Sequence, residues 1–243
     1  MANYANINNV YTTVEDILNK SQMGFISPQQ FNVFAPQAER ELFEEIYEKN
    51  LAPIIKFRLQ NLETLNQDIK HKNLDEISTL FVFNEQQVAS SGTNVFDYPA
   101  RYAYINSVTY NGEVISDIPA EQAAYYINNY YTPPTLDNPM LVKGNNQITV
   151  YPTALLDDVY MSYYKNPMGS QNGVGVNLPP SWQYTQVGED LLYNATTSVD
   201  FELPKSVEQK LVYKVLALAG FSIREPEVNQ FVNQQEAKDK STD

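Results

Sequence analysis

The chain has 243 residues, no cysteine, one histidine and a formal net charge of −13. The missing cysteines exclude disulfides and thiol chemistry, and one histidine excludes multi-histidine metal sites, so no metal or cofactor site is expected. Hydrophobic residues make up 43% of the chain, which suits a globular core. No apolar run approaches the roughly 18 residues of a membrane span. The N-terminus lacks signal-peptide features, so we expect a soluble protein made in a cytoplasm.

The acidity constrains the partners of the chain. Proteins that bind nucleic acids carry the opposite sign, because phosphate contacts dominate their affinity. The pI near 4.5 is therefore explained by solubility, or by a surface past which DNA must move without binding.

Helical periodicity dominates the first 75 residues. A first helix is predicted over 12–20. A second begins with Ser27 as N-cap, Pro28 in the first helical position and Gln30 reaching back to the cap. Its apolar stripe is formed by Phe31, Phe34, Ala38, Leu42 and Ile46.

Two prolines and an acidic face also shape the prediction for this region. Pro36 is expected to kink or restart the second helix, and Pro53 to begin a third. The face opposite the stripe is acidic and is expected to be solvated; it consists of Glu39, Glu41, Glu44, Glu45 and Glu48.

From about residue 78 the pattern changes to that of strands. Asn111-Gly112 is the strongest short hairpin signal in the chain. The predicted strands cover 79–83, 102–110, 113–115, 140–143, 147–151 and 158–165, with a short helix over 120–130. Residues 168–200 are predicted to be a long loop with at most one or two strands.

A last apolar helix precedes a polar C-terminus. Ser206 and Gln209 predict a capping box, and Gly220 is expected to end the helix. Its buried face is predicted to contain Val207, Leu211, Val215 and Leu218. A second, polar helix is expected from Pro226. Because this C-terminal arm has little apolar surface, we expect it to be disordered or to dock on another surface through Phe221, Ile223, Arg224, Val228, Phe231 and Val232.

The fold predicted from these elements is α+β. Helices from residues 1–75 and 201–243 are expected to form a helical bundle, and residues 76–200 to form an inserted antiparallel β-rich module. The C-terminal part would complete the bundle and carry the docking arm.

Candidate chemistry is sparse, and an enzyme is not expected. The adjacent carboxylates Asp157-Asp158 and Glu189-Asp190 fit solvated turns, because neighbouring side chains point apart. His71 lies between two lysines at a predicted helix end, where the helix dipole favours cations. The glycines of 169–175 lack the Lys-Ser/Thr of a phosphate loop.

Three tyrosine pairs leave the function of the β region open. Tyr125-Tyr126, Tyr130-Tyr131 and Tyr163-Tyr164 fit a half-exposed sheet face, a protein interface or a sugar-stacking platform.

Several segments together resemble a known family. Matches occur at Lys20-x-Gln22-x-Gly24-Phe25-Ile26-Ser27-Pro28-x-x-Phe31-Asn32, Val150-Tyr151-Pro152, Tyr163-Tyr164-Lys165-Asn166-Pro167, and from Phe201-Glu202-Leu203-Pro204 to Leu218-Ala219-Gly220. These segments resemble neck or connector proteins from tailed phages of Bacteroidetes, particularly crAss-like phages. The resemblance covers most of the chain, is vaguest over 168–200, and brings no catalytic residues.

The resemblance implies a virion structural protein in the neck or tail, assembled in the host cytoplasm. Such proteins form rings, typically of twelve copies, that contact the portal protein and other neck or tail rings. DNA passes through their channel without specific binding. The implied position is an adaptor under the portal; a more distal tail ring and a tail-associated glycan-binding module are the alternatives.

Overall fold

The computed structural model describes residues 4–20, 25–59, 78–87, 93–153, 158–171, 174–188 and 190–223. The fold is α+β, as predicted. The helices are α1 (Ile7–Lys20), α2 (Pro28–Leu59), α3 (Ala123–Ile127) and α4 (Glu208–Ile223). Three-residue 3-10 turns lie at Ser78–Leu80, Ala120–Gln122 and Lys205–Val207. Among the described residues, no helix has the length and apolarity needed to cross a membrane.

The strands are numbered in chain order. They are β1 (Phe81–Gln87), β2 (Val95–Asp97), β3 (Tyr102–Tyr110), β4 (Glu113–Val114), β5 (Ser116–Ile118), β6 (Met140–Lys143), β7 (Gln147–Tyr151), β8 (Val159–Lys165), β9 (Gly169–Gln171), β10 (Val174–Val176), β11 (Tyr184–Val187) and β12 (Asp190–Tyr193). The chain divides into two compact units. We call Met1–Leu80 with Pro167–Asp243 the terminal unit, and Phe81–Asn166 the inserted unit.

Residues 167–200 belong to the terminal unit. This segment also contains four short strands, so the prediction of at most two was wrong. β9 pairs with β10, and β11 with β12. Isolated bridges between Ser170 and Asp200 and between Ser181 and Val199 tie the segment to the residues before α4.

Helix α2 begins at the predicted capping box. The Gln30 backbone N–H donates to Ser27 Oγ at 3.2 Å, and the Ser27 N–H donates to Gln30 Oε1 at 3.0 Å. The predicted restart at Pro36 and the helix start predicted at Pro53 were wrong, since the helix continues through both prolines. An internal proline costs about 3 kcal/mol. Around Pro36, burial of α2 side chains offsets this cost: Phe31, Ala35, Ala38, Leu42, Phe43 and Ile46 are all buried.

Helix α4 packs against α1 and α2. Of its predicted buried face, Val207, Leu211 and Val215 are buried, whereas Leu218 is half-buried. Both ends of α4 differ from the ends that the sequence predicted. Ser206 lies inside the 3-10 turn Lys205–Val207 that precedes α4, and the helix continues beyond Gly220 to Ile223. Gly220 is buried, so its small size fits a packed position in the last turns.

The inserted unit contains two four-stranded sheets, with orders β1-β8-β3-β4 and β2-β7-β6-β5. The pairs are antiparallel except for β5 with β6, which are parallel. Asn111-Gly112 forms the predicted hairpin between β3 and β4, with φ values of 49° and 84° at the two turn residues. The hairpin predicted over 140–151 is also confirmed.

The core of the inserted unit takes side chains from both sheets. Phe96, Leu141, Ile148 and Val150 come from one sheet, and Val108, Tyr110, Val159, Met161 and Tyr163 from the other. Apolar residues at alternate positions of β7 face this core, as expected for a sheet with one buried face.

Candidate functional site

The two most exposed aromatic side chains among the described residues, Tyr130 and Tyr131, lie in the connection between β5 and β6. Parallel strands require a crossover of a dozen or more residues, and this one covers 119–139; we call it the tyrosine crossover. Tyr125 is 76% exposed, and Tyr130 and Tyr131 are each 89% exposed. Within the crossover only Ala123 and Pro139 are buried. The connection therefore displays its apolar side chains instead of packing them on its own sheet.

Local hydrogen bonds hold the tyrosine crossover in shape. Asn128 Nδ2 donates to the carbonyl of Ala124 at 2.8 Å, and the Tyr131 N–H donates to Asn129 Oδ1 at 2.9 Å. Farther along, the Asn138 N–H donates to Thr135 Oγ1 at 3.2 Å. These are turn-type bonds of short polar side chains to nearby backbone. The exposed rings thus stand on an ordered segment.

The rings within each adjacent pair meet edge to face. The Tyr125 and Tyr126 centroids lie 5.9 Å apart with the ring planes at 89°. Those of Tyr130 and Tyr131 lie 5.5 Å apart at 88°. This arrangement is favoured by the aromatic quadrupole, and it leaves ring faces open to a ligand or partner.

The third tyrosine pair has a different role. Tyr163 and Tyr164 are buried in the central strand β8, which has a neighbour on each side. The Tyr163 hydroxyl donates to the Glu85 carboxylate. Burial, followed by this contact with Glu85, raises the pKa of Tyr163. The pair is part of the core, so the platform that the sequence allowed at this position does not form.

A second exposed apolar surface lies in the terminal unit, on the β11–β12 hairpin. Val187, Leu191 and Leu192 are exposed on this hairpin. The hairpin forms a sheet of two strands. An isolated two-stranded hairpin is marginally stable in water. Its base is anchored by aromatic contacts, because Trp182 lies 5.7 Å from Tyr184 and 5.9 Å from Tyr193, centroid to centroid.

The predicted docking arm falls mostly outside the described residues. Phe221 and Ile223 lie in the last turn of α4. The rest of the predicted arm, formed by Arg224, Val228, Phe231 and Val232, lies outside the described residues.

The structure gives structural roles to residues considered for chemistry. Gly169 opens the β9–β10 hairpin, where an added Cβ would lie 2.5 Å from Val199 Cγ1 and 2.7 Å from the carbonyl oxygen of Leu178. The glycine is thus explained by close packing. Asp158 accepts a hydrogen bond from the Gln86 side chain. His71, Asp157 and Glu189 lie outside the described residues. In the described part of the chain, no group of three or more metal-binding side chains converges.

Sequence reasoning missed a buried glutamate. Glu39 was predicted to be solvated, but it is 1% exposed. Its Oε1 accepts the backbone N–H of Glu202 at 2.6 Å and that of Leu203 at 3.1 Å. The missed signal is its position, four residues after Ala35 and three before Leu42, both on the buried stripe.

A second carboxylate binds the start of α1. Asp200 Oδ1 accepts the Ile7 N–H at 2.8 Å, and Asn6 Oδ1 accepts the next two N–H groups. Together they satisfy the first donors of the helix. Burial raises the pKa of Asp200, which the hydrogen bond from Ile7 opposes and the charge of Glu208 reinforces.

The single tryptophan joins three segments of the terminal unit. Trp182 stacks on Tyr11 with centroids 4.3 Å apart, and its Nε1 donates to Asn8 Oδ1 at 2.9 Å. Asn32 accepts the Trp182 N–H at 2.7 Å and donates to its carbonyl at 3.0 Å. Asn32, at the end of the first segment of the resemblance, thus has a structural role.

Compared with known proteins, the chain matches no family model and no curated protein.

Proposed function

We propose that this chain is a non-enzymatic virion structural protein that forms a ring in the head-to-tail connector of a tailed phage. The observation that carries the proposal is the display of large apolar side chains on two ordered surface segments, the tyrosine crossover and the β11–β12 hairpin. Exposed apolar and aromatic surface of this kind is characteristic of protein interfaces. The resemblance to neck proteins suggests that this interface lies in the neck of the virion.

The proposed ring is built from copies of this chain, with twelve as the expected number. In each copy, α4 packs against α1 and α2; we propose that these helices form the helical bundle and that the inserted unit is the β module. The portal protein is the expected neighbour on one side and another neck or tail ring on the other. A ring placed farther down the tail is the alternative position.

The charge of the chain fits this role. A net charge of −13 lowers the affinity of a channel wall for DNA, because an acidic surface repels phosphates. DNA would then pass through without specific binding.

Incorporation into particles tests the docking role of the C-terminal arm. A truncation after Ile223 keeps all of α4 and removes the predicted arm beyond it. We expect this variant to fold and to be missing from assembled particles. A second variant of full length, V228S/F231S/V232S, removes only the apolar side chains of the arm. It should also be missing from assembled particles. Normal incorporation of both variants would contradict the docking role.

Glycan binding is the second candidate, favoured by the exposed rings of Tyr125 and Tyr130. Aromatic faces on an ordered segment are suited to stacking on sugars. Saturable binding on a glycan array that is abolished by Tyr125→Ala would support this function. Tyr163→Ala is unsuitable for the test, because Tyr163 is a buried core residue.

A further inference from the structure

Charged residues are scarce in two stretches of the terminal unit. Residues 25–38 contain no charged side chain, and residues 167–199 contain only Glu189 and Asp190. In the whole chain, by contrast, 19% of the residues are charged, and 29 of them are acidic. We call these two ranges the neutral stretches. Where they reach the surface, acidic side chains do not repel an approaching molecule.

The neutral stretches also hold the exposed apolar side chains. Among the described residues of the terminal unit, every large hydrophobic side chain that is exposed lies in one of them. Residues 25–38 contribute Phe25 and Val33, which are 60% and 67% exposed. Residues 167–199 contribute Val174, Leu178, Tyr184, Val187, Leu191 and Leu192. Exposed apolar surface and missing charge thus coincide, which is the composition of the core of a protein interface.

The β11–β12 hairpin is the part of this surface that most needs a partner. All four residues of β11 are exposed. Thr185 pairs with Leu192 and Gln186 with Leu191, so these successive pairs place one exposed leucine on each face of the hairpin. A two-stranded sheet is marginally stable by itself in water. Packing against another surface would therefore stabilise this hairpin.

The base of the hairpin is fixed before any partner binds. Asn32 exchanges two hydrogen bonds with the backbone of Trp182, at 2.7 and 3.0 Å. The Trp182 ring in turn contacts Tyr184 of β11 and Tyr193 of β12. An anchored base reduces the free energy that binding must spend on ordering the hairpin.

We propose that the β11–β12 hairpin is the element through which each copy of this chain contacts the next copy in the ring. Two chains that each carry −13 repel each other where acidic surfaces meet, so they approach at least cost through neutral surfaces. A second copy also brings a surface of matching character, the neutral start of α2 with exposed Phe25 and Val33. Ring contacts are heterologous, so the hairpin and the surface that receives it can differ. This inference rests on the proposed ring and names the surface that joins its copies.

The test is native mass spectrometry of the full chain, alone and with the portal protein from the same genome, the chain being too scarce to fill every portal. Contact between wild-type copies makes assembly cooperative, so each portal should hold a complete ring or no copy. L191T/L192T removes both leucines but keeps residues that favour strands. It should weaken the association between copies at least about ten-fold, which leaves monomers and partly filled portals. The isosteric V187T, on the other strand, should weaken association in the same direction.

The matched control is F83S/V114S in the inserted unit. It also removes two apolar side chains, which are 78% and 68% exposed but lie outside the neutral stretches. This variant should assemble as the wild type does. Circular dichroism and the fluorescence of Trp182 check that all variants are folded.

Three results would overturn the inference. Complete rings from L191T/L192T at wild-type concentrations would show that the hairpin does not join copies. Loss of portal binding by this variant, without partly filled portals, would identify the portal as the occupant instead. Both results leave the proposed function intact. A wild-type chain that stays monomeric alone and with the portal would remove the ring itself, and would contradict the proposed adaptor as well.

Discussion

In the terminal unit, polar side chains bind the backbone of segments that are far away in sequence. Glu39 lies 163 residues from Glu202, Asn32 lies 150 from Trp182, and Asp200 lies 193 from Ile7. In the inserted unit, two hairpins join neighbouring strands through short turns, and alternate apolar residues are buried in a core that both sheets share. Distant segments thus depend on specific hydrogen bonds, whereas local hairpins depend on pattern. The inserted unit leaves its tyrosine crossover available for contacts outside the chain.

The largest loss of stability is expected from substitution of Trp182, where three segments of the terminal unit meet. Trp182→Ala should lower the free energy of unfolding by about 3–5 kcal/mol, because it removes a buried ring and its contacts. Trp182→Phe keeps an aromatic ring but loses the Nε1 bond to Asn8, and should cost about 1–2 kcal/mol. Urea unfolding followed by circular dichroism measures both. No loss of stability in Trp182→Phe would contradict a separate role for the Nε1 bond.

Substitution of Glu39 is expected to cause the second-largest loss of stability. Glu39→Ala leaves the N–H groups of Glu202 and Leu203 buried without this acceptor, which should cost about 2–4 kcal/mol. Glu39→Gln keeps a neutral acceptor and should cost about 1 kcal/mol. The fluorescence of the single tryptophan in urea reports the terminal unit directly. The control, Glu44→Ala on the exposed face of α2, should change stability by less than about 0.5 kcal/mol; a similar loss in that variant would contradict the account.

Gly169 tests close packing in the same unit. Gly169→Ala places a methyl group against the Val199 side chain and the Leu178 backbone, which should cost about 1–3 kcal/mol. Gly188→Ala is the comparison, since its Cβ meets nothing within 4 Å and the cost comes only from a φ of +67°. That cost is about 1 kcal/mol. Thermal or urea denaturation ranks the two, and a smaller loss at Gly169 would rule out the packing role.

Asp200 makes the terminal unit sensitive to pH. Its pKa is raised in the folded protein from the ordinary value of 3.8, so folding favours the protonated carboxyl. The stabilisation from this proton is complete below the ordinary value and is lost as pH rises through the folded pKa. Asp200→Asn keeps an oxygen for the Ile7 N–H but cannot ionise. In urea titrations from pH 4 upward, the variant should lose less stability with rising pH than the wild type; identical pH profiles would contradict this assignment.

The smallest effect on stability is expected in the tyrosine crossover. Because both rings are 89% exposed, Tyr130→Ala/Tyr131→Ala should change the free energy of unfolding by less than about 0.5 kcal/mol. The matched control is Tyr110→Ala in the core of the same unit, which should cost about 3 kcal/mol. Circular dichroism in urea measures both. A large loss for the exposed pair would mean that the crossover stabilises its own sheet instead of serving partners.

The sequence predicted the features whose signal is local. The capping box of Ser27 and Gln30, the Asn111-Gly112 hairpin and the hairpin over 140–151 each depend on a few adjacent residues. The continuity of α2 through Pro36 was missed, because buried side chains outweigh the cost of a proline. Glu39 was missed because its partners lie far along the chain.

The candidate site was predicted only in outline. The tyrosine pairs were evident from the sequence, but nothing local separates the exposed Tyr125 and Tyr130 from the buried Tyr163. The difference arises from topology, since β8 is a central strand and the crossover lies outside the sheet.

Native mass spectrometry of the purified chain, alone and mixed with the portal protein from the same genome, tests the central claim most directly. The proposed function predicts a discrete ring, either from the chain alone or only in the presence of the portal. A chain that stays monomeric and indifferent to the portal would contradict the adaptor position, and would favour a more distal tail ring or the glycan-binding role.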